Sequence, residues 1–134
     1  ILALQKQRDP QAGYASDFLD VLPTLLPHLP ALRIITNAGG MNPHGCAVRA
    51  RALLDAAGLA NVPLGVVSGD DLMPTLARHD LNHLDTGEPL ASVRGRVVSA
   101  NVYLGSAPIV ECLQRGARVV LTGRVADACL TVAP

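Results

Sequence analysis

The chain has 134 residues, 49% of them hydrophobic and 16% charged, enough for one domain with a core of its own and far from the profile of disorder. Eleven basic residues balance eleven acidic ones, and aromatic residues make up only 2%, so there is neither the basic stripe nor the stacking surface that nucleic acid needs. Its apolar runs are short and interrupted, which leaves no membrane span.

Taken in order, Ile1 to Arg8 reads as the tail of a helix already under way, closed by the turn residues Asp9-Pro10-Gln11-Ala12-Gly13. Ser16 is the expected N-cap of a helix to about Leu29, kinked or broken by Pro23 and Pro27. Leu32 to Thr36 is the first strand, apolar on both faces as in a doubly covered parallel sheet. It ends in Asn37-Ala38-Gly39-Gly40-Met41. Asn42 and Pro43 then stand where an N-cap and a first helical residue belong. The helix they open has its buried stripe at Ala47, Ala50, Leu53, Leu54 and Ala57 and stops at Gly58.

Val62 to Val67 is the second strand, followed by Ser68-Gly69-Asp70-Asp71 and a short helix over Leu72–His79. The stretch from His79 to Gly95 lacks a period and reads as a lid, binding loop or small insertion. Arg96 to Tyr103 is the third predicted strand, and Pro108 opens a helix that ends at Gly116. Arg118 to Leu121 is the fourth strand, Thr122-Gly123-Arg124 its exit, and Ala126–Leu130 the start of a last helix. Alternation of this kind predicts an α/β domain over residues 1–134, a mainly parallel sheet with helices on both faces; an open Rossmann-like sheet is favoured, although periodicity alone does not separate it from part of a barrel. The start at Ile1 and the stop at Pro134 suggest a piece of a larger domain, with apolar faces that meet a missing remainder or a second copy.

In parallel α/β proteins ligands bind beyond the carboxyl ends of the strands. Each predicted exit carries polar or glycine residues: Asn37, Gly39, Gly40 and Asn42; Ser68, Asp70 and Asp71; Asn101, Tyr103 and Gly105; Thr122, Gly123, Arg124 and Asp127. Loop chemistry explains any one exit, and four in register point to a shared site. A strand, a glycine turn and a helix start leave backbone N–H groups aimed at one spot, suited to an anion. The glycines lack the dinucleotide spacing, and no acidic residue ends the second strand for a ribose, which argues against NAD. The one lysine, Lys6, gives no Walker loop and no Schiff base beside the glycines.

Asp70 and Asp71 are open to two readings, a divalent-metal site or caps of the next helix. Arg124 either grips an anionic ligand group or pairs with Asp127 three residues on. His44, in the first turn of its helix, is an acid–base candidate or a surface histidine. Cys46 is a lowered-pKa thiol or a core residue, the second favoured by the apolar stripe beside it. Cys46, Cys112 and Cys129 are odd in number and lack metal-like spacing, so reduced thiols in a cytoplasmic protein are expected. Neither cofactor nor metal is named by the sequence.

The segment Thr36-Asn37-Ala38-Gly39-Gly40-Met41-Asn42-Pro43 resembles the Asn-Ala-Gly-Gly-x-Asn-Pro signature of the acyclic terpene utilisation family, whose N-terminal domain was formerly one of unknown function. Later blocks agree in order: Gly69-Asp70-Asp71, Leu84-Asp85-Thr86-Gly87, Ala100 to Ile109 and Leu121 to Asp127. The resemblance covers Tyr14 to the end. It implies a place in bacterial breakdown of citronellol and geraniol through CoA thioesters, with a lyase acting on a branched hydroxyglutaryl-CoA as the suggested role. It brings no catalytic residues with it.

Together these readings predict a domain acting on a small acyl or carboxylate compound, with carbon–carbon lyase chemistry as the candidate reaction. Asp70 or Asp71 would be the base, Arg124 and the Gly39-Gly40 amides the anion stabilisers, and Asn101 the positioner. The rival is a non-catalytic acyl-CoA-binding or assembly subunit.

Overall fold

The computed structural model describes residues 1–134. Three β-branched, apolar stretches form the strands β1 (Ile34–Thr36), β2 (Leu64–Val67) and β3 (Val119–Thr122). They make one parallel sheet in the order β1-β3-β2. Ile34 and Leu64 are both in register with Val119, so the three carboxyl ends stand nearly level.

All four residues of β3 are buried, because it is covered on both faces and paired on both edges. Successive side chains point to opposite faces. Val119 and Leu121 meet Leu22, Leu26, Cys46, Ala50 and Leu54 of α2 (Ser16–Leu25), the 3-10 turn after it and α3 (Pro43–Ala56). Val120 faces the other way, onto Ile109 and Leu113 of α5 (Ala107–Gln114), with Val67 and Val125 beside them. The chain passes from β1 to β2 over one face through α3, and from β2 back to β3 over the other through α5. Opposite directions on opposite faces give both crossovers the same hand, as parallel connections require. The remaining helices are short: α1 (Leu2–Arg8), α4 (Leu90–Val93) and α6 (Cys129–Val132).

The α/β prediction with helices on both faces holds, with corrections in detail. Arg96–Tyr103 is not a strand. After a 3-10 turn at Arg94–Arg96 the chain runs irregularly past the carboxyl ends of the sheet, touching the loops beyond β2 and β3 through the single bridges Asp71–Asn101 and Leu104–Val125. Its valines have β propensity, but propensity acts through packing neighbours, and Val98 (52%) and Val102 (40%) are left open to solvent. The sheet therefore has three strands rather than four. The short helix expected at Leu72–His79 is present as a 3-10 helix, Met73–Arg78. Ala15 occupies the cap position assigned to Ser16, and α2 stops at Leu25, with Pro27 in the turn that follows. In α3 the buried stripe includes Cys46, while Ala57 is exposed. No helix is long and apolar enough to cross a membrane.

Candidate functional site

After β1 the chain enters α3 on one face of the sheet; after β3 it goes to Val125, which packs on the other. Neighbouring strands whose continuations part to opposite faces leave a crevice between their exits, the topological switch point of α/β sheets. A cleft of about 520 Å³ opens there. Its walls are Asn37, Ala38, Gly40 and Met41 from the β1 exit, Gly123 and Arg124 from the β3 exit, Ser99 from the crossing segment, and the start of α1.

The glycines let these exits come together. A Cβ on Gly39 would stand 2.5 Å from the Thr122 carbonyl oxygen and 2.7 Å from Pro43, so only glycine fits where the β1 loop crosses the end of β3. Gly40 turns the chain at a φ of +52°. Its N–H donates to the Asn37 carbonyl, whereas the Gly39 N–H has no protein partner. Gly39 is buried and outside the cleft lining, so neither amide of the predicted anion-binding pair is offered to the cleft. Asn42 serves the scaffold. Its Oδ1 accepts from Gly45 N–H (2.9 Å) to cap α3, and its Nδ2 reaches the carbonyls of Pro10 (3.1 Å) and Ala12 (3.0 Å).

Asp70 is the hub of the β2 exit. It is only 3% exposed, and Oδ2 accepts from Asn101 Nδ2 (2.8 Å) and from the backbone N–H of Arg124 (2.8 Å). A Cβ on Gly123 would collide with its other oxygen. A buried carboxylate needs such donors to offset lost hydration. The segment predicted as a strand thus delivers Asn101 and Tyr103 to the strand ends without being one.

With its backbone held by Asp70, the exposed Arg124 places its guanidinium 5.4 Å from the centre of the Tyr103 ring. The ion pairs of the molecule are Lys6–Asp71, Arg51–Asp55 and Arg115–Glu111, so the alternative pairing of Arg124 with Asp127 does not form. Asp127 is exposed and outside the cleft lining, and Thr122 is buried, its hydroxyl on the Gly123 carbonyl.

The helix N-cap is Leu72 and not Asp71, which sits one residue earlier and makes a local turn, Oδ1 accepting from Met73 N–H at 3.0 Å, while Oδ2 lies 3.5 Å from Lys6 Nζ. Lys6 was passed over in the sequence, yet it donates to the Met41 carbonyl at 2.7 Å and stands beside the glycine loop after all. Its being the only lysine of the chain was the available signal. Acidic, histidine and cysteine side chains nowhere gather into a group able to hold a metal ion. His44 Nε2 meets Ser68 Oγ at 3.2 Å on the exposed rim. Cys46 is a core residue, and burial pushes its thiol up to about 11, away from the nucleophilic range.

The arrangement offers one guanidinium free of carboxylates, walls made largely by the apolar Ile1, Leu2, Ala3, Ala15, Ala38 and Met41, and the polar side chains of Asn37 and Ser99. The family model described as acyclic terpene utilisation family protein AtuA matches residues 1–134. No curated protein and no solved structure matches the chain. The chain belongs to the acyclic terpene utilisation family.

Proposed function

From membership of that family and from the cleft together, we propose that this domain binds a small branched acyl or carboxylate compound, a CoA thioester of citronellol or geraniol breakdown, and takes part in its carbon–carbon cleavage. The observation that carries the reading is Arg124: a guanidinium with no carboxylate partner, fixed by its backbone at the switch-point cleft. In a retro-aldol cleavage a base takes the proton of the substrate hydroxyl, the carbon–carbon bond breaks to leave a carbonyl, and its electron pair becomes an enolate that is then protonated. Asp70 is buried and occupied, so Asp71, with about one-third of its side chain exposed, is the more accessible base of the two aspartates. Arg124 suits the enolate or carboxylate oxygens, with Asn37 beside it on the cleft wall. Three free thiols fit a reducing, cytoplasmic setting.

A second reading, a non-catalytic acyl-CoA-binding or assembly subunit, draws on Asp71 itself, whose two oxygens are engaged by Met73 N–H and Lys6. Turnover assays on the full-length protein separate the two. Binding of acyl-CoA without product favours the subunit.

The test of the site is Arg124. Calorimetric titration of acyl-CoAs and short carboxylates into the full-length protein should show binding that weakens by about 1.5–3 kcal/mol in Arg124→Ala, the range for hydrogen bonds to charged groups. Arg124→Lys keeps the charge without the planar fork and should lose part of that. The fold should survive both changes, because Asp70 holds the backbone of Arg124 and not its side chain. Unchanged affinity in both variants overturns the assignment.

A further inference from the structure

We infer that Lys6 is a second anion-recognising cation of this cleft, so that the ligand carries two separated anionic groups, one on Arg124 and one on Lys6. The inference rests on the cleft reading above. Leu2 and Ala3 line the cleft, and Lys6, itself beyond the lining, follows them at four and three residues on α1, hence on the same face of that helix and at the cleft's edge. Its Nζ is anchored on the carbonyl of Met41, itself a wall residue, and the loop is shaped to its stem: a Cβ on Gly13 would stand 2.8 Å from Lys6 Cβ.

An ammonium has three N–H donors. The Met41 carbonyl takes one, and Asp71 lies 3.5 Å away as an ion pair without a hydrogen bond, which leaves N–H donors unused on a side chain still 37% exposed. The Asp71 pair is long and about one-third exposed on both sides, and exposed pairs of this kind are weak enough for a ligand anion to compete with them. Lys6 and Arg124 approach the exits on different supports, α1 and the Asp70 network, so a single anionic group is not needed to satisfy both. A ligand with an anion at each end uses each cation separately.

The experiment titrates the α,ω-dicarboxylates from succinate to suberate, and monocarboxylates of matched carbon number, into the full-length protein and its Lys6→Met and Lys6→Arg variants. The wild type should prefer a dicarboxylate of one length. Lys6→Met should reduce that preference by about tenfold, and Lys6→Arg should keep most of it. Thermal melting checks that both variants fold. If Lys6 only straps α1 to the sheet, Lys6→Met weakens both ligand classes equally and the preference is unchanged, which overturns the inference. A wild type that binds both classes without preference overturns it too and leaves the cleft reading standing. If it binds neither class, both fall.

Discussion

At the scale of single residues, Asp70 is the side chain on which the site's geometry depends. One carboxylate oxygen joins three parts of the chain, since Asn101 lies 31 residues away in sequence and Arg124 54 residues away. Truncation to Ala leaves the Arg124 N–H and the Asn101 amide without their acceptor, and we expect Asp70→Ala to cost about 2–4 kcal/mol in urea denaturation. Gly123 is the complement of that carboxylate. A methyl group there overlaps Asp70, so Gly123→Ala should cost about 1–3 kcal/mol, the range for overpacking. The two changes should not add: with the carboxylate gone, the methyl has room, and the double variant should be more stable than the sum of the single costs implies. Strict additivity would show that the two groups do not meet in solution.

At the scale of elements, α3 shows how much a local signal can specify. Asn42 as cap and Pro43 at the first position were legible because capping is chemistry among neighbours, and the structure uses them so. The second task of Asn42, holding the loop at 10–12 through Nδ2, was not legible, since it spans 30 residues or more. The two tasks separate by substitution. Asn42→Asp keeps the cap oxygen and loses the donor; Asn42→Ala loses both. Ala should cost about 1 kcal/mol more than Asp in thermal or chemical unfolding, the usual worth of a cap. Equal costs would place the whole effect in the loop. β1, β2 and β3 were legible in the same way, as β-branched runs between glycine and polar turns. The run at 96–103 carried the same signal and is no strand, because what decides a strand is the layer that covers it, and nothing in the run itself reports that. So the strand exits could be named as the place of a cleft, while the wiring around it could not: Asp70 to Asn101 and Arg124, and Lys6 to Met41, are pairings across the fold.

At the scale of the whole molecule, stability should be graded outward from β3. Its four residues are buried, with a neighbour strand on each side, whereas β1 and β2 each have one free edge. Residues 80–89 are all exposed and meet one another mainly through a turn and the Asn82–Pro89 bridge. Amide hydrogen exchange reads such a gradient directly, because regions with few buried contacts open at low free energy. The slowest amides should be those of β3, approaching the free energy of global unfolding, and residues 80–89 should exchange fastest. The edge strands add a finer pattern. Ile34 N–H donates to Arg118 and the Val67 carbonyl accepts from Gly123, both toward β3. Direction alternates along a strand, so the amides of Ile35 and Val66 point away from the sheet. These two should exchange faster than Ile34, Thr36 and Val67. If Ile35 and Val66 prove as protected as β3, the sheet continues past its edges in solution, through another strand of the same protein or of a second copy.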